Sequence, residues 1–423
     1  MAETRPLLSL DDAVHLLVAG TRAHRITQTE QVSTFDALGR VLALPVVSAV
    51  DVPPQDNTSM DGYALRCADL TQPGSCLPVS QRIPAGVVGP ALLPGTAARI
   101  FTGGELPEGA DAVVMQEQCE WLAPASADVQ AHPALGQVRV NARPTPGQWV
   151  RRRGEDVQVG ATVLVPGQRL TPQALGLAAA VGAAELTALR RPRVAILSTG
   201  DELVMPGLPL RRGAIYNSNR FTLRALAQAA GCELSDLGIV PDRLEATRQA
   251  LRDAAVAHDL IVTSGGVSVG EEDHLKPAAM LEGSLSNWQL AIKPGKPLAF
   301  GSIRREGGGS AVLLALPGNP VSSFVTWLLA VRPVLRVMQG LSHELPAATP
   351  MRADFDWPKP DKRREFLRVQ RNPQGGLSLF PNQSSGVLSS VVWADGLVDC
   401  APGQALVRGQ AVPFLSLAEL VAS

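Results

Sequence analysis

The run from Asp259 to His274 reads Asp-Leu-Ile-Val-Thr-Ser-Gly-Gly-Val-Ser-Val-Gly-Glu-Glu-Asp-His and holds the residue types that phosphate chemistry uses. Leu260, Ile261, Val262 and Thr263 predict a short buried strand, which Ser264, Gly265 and Gly266 stop. Glycine, lacking a Cβ, lets peptide N–H groups turn inward and a ligand approach the backbone, so the pair can form an anion-binding nest. Ser264 and Ser268 add hydroxyl donors, and Glu271, Glu272 and Asp273 place carboxylates within a few residues of the same point. These repel a phosphate unless a cation or Lys276 lies between, and phosphate plus carboxylate is a donor set for Mg²⁺. A Ser-Gly-Gly alone also ends strands that bind nothing, so its meaning rests on what joins it.

Three other stretches could join it. Ser198-Thr199-Gly200-Asp201-Glu202 follows a predicted strand, and Glu202 there is either part of a strand-ending turn or a working carboxylate. Pro317-Gly318-Asn319-Pro320 opens an apolar helix with Asn319 as N-cap and Pro320 as first helical residue, and a helix N-terminus behind a glycine also suits an anion. Lys293-Pro294-Gly295-Lys296 sets two ammonium groups on either side of a rigid turn, an arrangement for an oxyanion, although lysines beside turns are commonly just solvated. Asp242 and Glu245 read as the N-cap and capping-box pair of a helix reaching His258, which is sufficient reason for Asp242 to be there. Met60-Asp61-Gly62-Tyr63 is locally an Asp-Gly turn, and Arg151 to Arg153 beside Glu155 and Asp156 a self-neutralising surface patch.

The elements that would carry these residues fall into four groups. Ser9 caps a helix with Leu10, Val14, Leu17 and Val18 at helical spacing and a stop at Gly20. That helix is too short for a core of its own and is expected to pack with a later segment, a strand at 162–165 and an Ala-rich helix at 172–189. This makes one α/β domain of 1–50 with 150–190, into which a β-rich domain, 51–149, is inserted. Strands near 194–197, 233–240, 260–263, 298 and 312–316 alternate with helices at 219–230, 242–258, 276–282 and 321–339, predicting a doubly wound, mainly parallel sheet over 191–340. Such sheets bind ligands at the carboxyl ends of their strands, where the Ser-Thr-Gly, Ser-Gly-Gly and Pro-Gly-Asn turns all fall. From 345 to 423 the helical pattern gives way to strands, with a hairpin over Asn372-Pro-Gln-Gly-Gly376 and a second strand pair, 387–393 with 397–400, predicting a small C-terminal β-barrel.

Several classes of function are excluded by composition. The chain of 423 residues carries a formal charge of −1 with 18% charged residues dispersed along it, which is no footprint for nucleic acid. The 5 Cys are scattered without a C-x-x-C pair and the 6 His form no ligand-spaced cluster, against a zinc site or a disulfide framework. Neither a signal-peptide pattern at Met-Ala-Glu-Thr-Arg-Pro6 nor an uncharged membrane-length apolar run is present, so cytoplasmic residence without a membrane is expected.

In order along the chain stand Asp-Asn-Thr-Ser-Met-Asp-Gly-Tyr-Ala64, Arg-Ile-Phe-Thr-Gly-Gly104, Val-Val-Met-Gln-Glu117, Arg-Arg-Arg-Gly-Glu-Asp156, Ser-Thr-Gly-Asp-Glu202, Ser-Gly-Gly-Val-Ser-Val-Gly-Glu-Glu-Asp273, Ile-Lys-Pro-Gly-Lys-Pro297 and Leu-Pro-Gly-Asn-Pro320. With these motifs the sequence resembles the molybdopterin molybdenumtransferases of the bacterial MoeA type, and is similar to the E domain of gephyrin, over nearly its whole length. The resemblance implies a molybdopterin-binding-like α/β domain, an elongated N-terminal domain and an elongated homodimer of four-domain subunits, with the active cleft between the α/β domain of one subunit and the β-rich domain of the other. It implies an enzyme that takes adenylylated molybdopterin and molybdate, cleaves the phosphoanhydride with Mg²⁺, releases AMP and leaves molybdenum on the dithiolene. Molybdopterin adenylyltransferase and molybdoenzyme apoproteins are the implied partners. The matching positions are Asp61, Thr102, Glu202, Asp242, Ser268 and Asp273, with Asp273 and Glu202 as candidates for the metal. Lys293 and Lys296 match the oxyanion-holding turn, and Arg368 and Ser385 molybdate-side positions. Two residues depart from the pattern: Gln289 stands where some relatives have lysine, and Gly386 where relatives often have histidine. The competing readings are a related adenylyltransferase, which shares the α/β domain but normally lacks the flanking β domains, and a non-catalytic scaffold of gephyrin kind, expected with a fused domain and long linker.

Overall fold

The computed structural model describes residues 7–123, 135–267 and 274–422. Two compact units make up the chain: Met1–Glu30, Gly39–Val41 and Leu189–Ser423 form one, and Gln31–Leu38 with Leu42–Ala188 the other.

The first unit is organised by a six-stranded sheet in the order Glu233–Val240, Arg193–Thr199, Leu260–Ser264, Ser310–Leu316, Pro297–Arg304, Gly283–Gln289. The first four strands are mutually parallel and the last two antiparallel, so the sheet is mixed. Side chains alternate across it as strand geometry demands. Val194, Ile196, Leu260 and Val262 enter one buried cluster, with Leu223 and the residues of the helix over 320–338. Ala195, Leu197 and Ile261 enter the other, against Leu251 and Ala255 of Leu244–Ala257 and Leu275 of Leu275–Glu282. Helices therefore cover both faces, as a central parallel strand buried on both sides requires.

Pro320–Met338 is long and apolar enough to cross a membrane by length and composition, but 89% of it is buried in this unit, and it is the core helix of the sheet. Leu10–Thr21 lies against it, sending Leu10, Ala13 and Leu17 into the same cluster, rather than packing on the later segment as expected from sequence. Ser9 does cap that helix, its Oγ accepting from Asp12 N at 3.1 Å. Gly20 does not end it: the helix runs on to Thr21, and a Cβ on Gly20 would stand 2.7 Å from the Phe300 ring.

The C-terminal strands Thr349–Arg352, Ala411–Ser416, Gly396–Cys400, Arg364–Arg371 and Leu377–Leu379 are antiparallel neighbours in that order. A bridge between Ala353 and Leu377 joins the two ends, curling the sheet around Phe355, Leu367, Val398 and Phe414. The short strand Ile292–Lys293 pairs with Arg364 and Glu365 and ties this barrel to the α/β sheet. Where a strand was expected over 387–393, Ser389–Trp393 is a helix, its Ser390 Oγ bonded to Val387 O at 2.6 Å; the Val391-Val392 pair misled the pattern.

The second unit contains a six-stranded sheet ordered Ala112–Met115, Gly62–Leu65, Ala97–Ile100, Ser75–Ile83, Gln137–Val140, Cys119–Leu122. Its Ala-rich helix, Pro172–Ala180, is shorter than expected: Gly182, at φ +85°, turns the chain into the strand Glu185–Leu189.

Candidate functional site

Three parallel strands end side by side at Thr199, Ser264 and Leu316, with Ser264 in register with both Ser198 and Leu316. Their following turns line one cavity of about 630 Å³, together with Glu202, Asn217, Asn219, the Lys293–Lys296 turn, and Arg363 and Ser385 from the C-terminal segment. The glycines are there for space and backbone sign. Gly265 and Gly266 have φ +90° and +70°, and a Cβ would meet Thr199 O at 3.1 Å in the first case and Leu275 Cβ at 2.9 Å in the second. Gly295, at φ +115°, would place a Cβ 2.5 Å from Thr326 Oγ1. At Gly318 a Cβ would be 3.9 Å from the Gly265 Cα, so two of the turns approach at their backbones.

A buried amide ties those two turns together. Asn219 Nδ2 donates to Ser264 Oγ and to Gly318 O, both at 2.7 Å. Asn217 caps the helix Ser218–Ala229 by accepting from Arg220 N at 3.1 Å. At the next helix Asn319 occupies the N-cap position before Pro320, yet its side chain makes no capping bond and lines the cavity. The main-chain amide of Val321 is taken instead by Ser385 O, at 3.0 Å, which fastens the serine loop to the start of that helix.

The cations differ in how far they are committed. Lys293 Nζ lies 2.9 Å from Glu365 Oε1 and 3.4 Å from Asp361 Oδ2. Asp361 also pairs with Arg363 at 2.8 Å; that bond above all, opposed by partial burial and helped by Lys293, holds the Asp361 carboxyl far below its ordinary range. Lys296 is exposed on the cavity lining and makes no ion pair with any described residue. Glu202 likewise lines the cavity, and its carboxylate has no partner among the described residues.

The structure thus gathers Glu202, Lys293, Lys296, Ser264, Gly265, Gly266, Gly318, Asn319 and Ser385 around one cavity. Ser268 and Asp273 lie outside the described residues. Asp242 stands at the same sheet edge, its N–H directed at Asp201 Oδ1 at 3.4 Å, but does not line the cavity. Nor is it a cap: the helix Leu244–Ala257 begins one residue later, with Arg243 at the N-cap position and no side-chain bond there. Arg368, expected on the molybdate side, is 1% exposed. It donates to Ser390 Oγ, Phe366 O and Ser384 O, and burial pushes its guanidinium down to about 10. It holds the serine loop from beneath and offers no surface to a ligand. Asp61 and Thr102 belong to the second unit, where Asp61 Oδ1 accepts from Thr102 N at 2.8 Å and Thr102 Oγ1 at 2.7 Å, bonds that lower its carboxyl from the ordinary value. Sequence reasoning passed over Asn217 and Asn219; the only signal was two asparagines flanking Ser218 at a helix start on the same sheet edge.

Fold and site together define a doubly wound α/β protein with a cation-flanked, glycine-walled cavity at the carboxyl edge of its sheet, extended by a C-terminal barrel. Residues 8–182 match the MoeA N-terminal region (domain I and II), 195–337 the probable molybdopterin binding domain, and 350–417 the MoeA C-terminal region (domain IV). The molybdopterin molybdenumtransferase of Haemophilus influenzae is 42% identical over 315 residues, 74% of either chain, and that of a Nostoc species 34% identical over 92% of this chain and 89% of its own. The crystal structure of the molybdopterin biosynthesis moeA protein from Pyrococcus horikoshii superposes with a TM-score of 0.76 at 27% identity, covering 97% of this chain and 100% of that one. The chain belongs to the molybdopterin molybdenumtransferase family, enzymes of molybdenum cofactor biosynthesis.

Proposed function

We propose that this enzyme takes adenylylated molybdopterin and molybdate, cleaves the phosphoanhydride, releases AMP and leaves molybdenum on the dithiolene. The observation that carries the reading is the convergence of the Thr199, Ser264–Gly266 and Pro317–Asn319 strand ends on one cavity beside Lys293 and Lys296. Breaking a phosphoanhydride requires neutralising charge on phosphoryl oxygens more than covalent help from the protein. The backbone amide of Gly266, the Asn319 side chain and the ammonium of Lys296 are suited to that, and Ser385 lines the same cavity; the Gly265 amide is already bonded to Leu316 O at 3.1 Å. A hard cation bound by one or two carboxylates with substrate phosphates and water is the common form of a Mg²⁺ site. The free carboxylate of Glu202 suits such a site, although the described residues hold no cluster of three or more carboxylate, His or Cys groups. Asp273 and Ser268 are proposed to join it. When bound, Mg²⁺ would supply charge neutralisation at the phosphoanhydride.

The β-rich domain that carries Asp61 and Thr102 is proposed to face the α/β domain of a second subunit in a cytoplasmic homodimer. Asp242 is proposed to act at the sheet edge. Molybdopterin adenylyltransferase would supply the substrate and molybdoenzyme apoproteins take the product. The test is purified protein with adenylylated molybdopterin, molybdate and Mg²⁺, assayed for AMP: release dependent on all three supports the reading, and its absence with authentic substrate rejects it.

A further inference from the structure

Which hydrogens the asparagines have left to give is settled by their partners. Gly318 O can only accept, so the Asn219 amide is oriented with its Nδ2 toward it, and Nδ2 has no lone pair for a serine proton to use. Ser264 Oγ is therefore an acceptor in its 2.7 Å bond from Asn219. Ser264 is 4% exposed, lines the cavity, and has no other side-chain partner among the described residues, so its own hydroxyl hydrogen is unspent among them. Asn217 is in a related state. Its Oδ1 is fixed by Arg220 N, which leaves the other branch, Nδ2, buried without a partner in a residue that is 2% exposed and lines the same cavity. A buried donor left unpaired costs about 1–3 kcal/mol, which points to an acceptor that arrives with the ligand.

We propose that the Ser264 hydroxyl and the Asn217 amide form a neutral donor subsite for an oxygen of the bound oxyanion, with Asn219 as the positioning residue that keeps the Ser264 hydrogen turned to it. This rests on the reading that the cavity takes an anionic ligand, and the oxygen belongs to either a phosphate or a molybdate. Neutral donors here complement the lysines that line the same cavity: they select an acceptor by direction without adding charge that would hold the product after cleavage.

The test is calorimetric titration of AMP and, separately, of molybdate into the full-length protein and its Ser264→Ala, Asn219→Ala, Asn217→Ala and Ser264→Ala/Asn219→Ala variants, with melting temperatures recorded for each. Ser264→Ala keeps the Asn219 bond to Gly318 O and the Gly265 N to Leu316 O bond, so it should fold. For one of the two ligands, Ser264→Ala and Asn219→Ala should each weaken binding about tenfold, Asn217→Ala by a similar factor, and the double variant no more than its stronger single member. Ser264→Thr, which restores a hydroxyl, should recover most of the affinity. The affected ligand tells phosphate from molybdate. Effects of Ser264→Ala and Asn219→Ala that multiply to about a hundredfold, or wild-type affinity in Ser264→Ala, overturn the subsite while leaving the proposed reaction standing. Wild-type protein that binds neither anion and releases no AMP rejects the reading beneath it, and the subsite with it.

Discussion

Two lysines on one turn are alike as anion ligands by type, and their surroundings make them different. Lys293 is engaged by Asp361 and by Glu365, whose carboxylate is 2% exposed and also accepts from Trp357 Nε1 at 2.9 Å. Removing Lys293 withdraws a cation from a buried anion, so Lys293→Ala should lower stability by about 1–2 kcal/mol, seen as a lower denaturant midpoint. Lys296 has no carboxylate among the described residues to leave behind. Lys296→Ala should therefore keep the wild-type midpoint while weakening anion binding about tenfold, and a variant that loses both would show that Lys296 too is structural. Arg368 is the same lesson in stronger form. A basic residue in a matching motif reads from sequence as an anion ligand, but only the fold reveals that this one is buried and turned to two carbonyls and a hydroxyl of its own segment. What sequence conveys about a charged residue is its type; its partners, tens of residues away, decide its use.

At the scale of the element, the parts that sequence made legible are those whose cause is local. The glycines after Ser264 were readable because a strand must stop and a ligand-sized gap needs backbone without Cβ, and their positive φ follows from that. Gly265→Ala should cost about 1–2 kcal/mol and cut AMP release by at least about tenfold, because φ +90° disfavours alanine and the new Cβ would press on Thr199 O at 3.1 Å. A wild-type rate in that variant would mean the turn is only a stop. The barrel hairpin offers a pH counterpart. Asp354 accepts from Arg352 Nε and Asn372 Nδ2, both at 2.8 Å, and these bonds, Arg352 first, hold its carboxyl down to about 2. Its folded-state affinity for protons is below that of the unfolded chain, so its contribution is complete above about pH 4 and is lost as pH falls toward 2. Asp354→Asn should flatten this part of the acid dependence of the denaturant midpoint; an unchanged slope would exclude the carboxylate as its source. Where the cause was tertiary, local pattern failed. The Val391-Val392 pair is a helix because Ser390 bonds back to Val387 O and takes a bond from Arg368, neither of which a period-two reading can contain.

On the scale of the whole chain, sequence suggested four domains by changes of pattern, and these mark changes of architecture more faithfully than they mark units of packing. The alternation of strands and helices after Arg193 announced the α/β sheet, and the hairpin signals after 345 the barrel. Nothing in either announced that Ile292–Lys293 would leave the one to pair with the other, or that Phe366, Leu397, Leu415 and Leu420 would enter the same buried cluster as Val194 and Trp327. Leu10 and Leu17, expected to pack with the residues before 190, are in that cluster as well. A shared core means shared unfolding, since opening the barrel exposes apolar surface of the sheet's helix layer. Calorimetry of the full chain should then resolve two transitions rather than four. Phe414→Ala in the barrel and Leu197→Ala in the sheet, each costing about 2–5 kcal/mol, should move the same transition. Val113→Ala, in the core of the β-rich sheet, should move the other. If the barrel variant instead splits off a transition that the sheet variant leaves alone, the strand Ile292–Lys293 is a tether between independent folds, and the cavity wall contributed by Ser385 can open without unfolding the sheet.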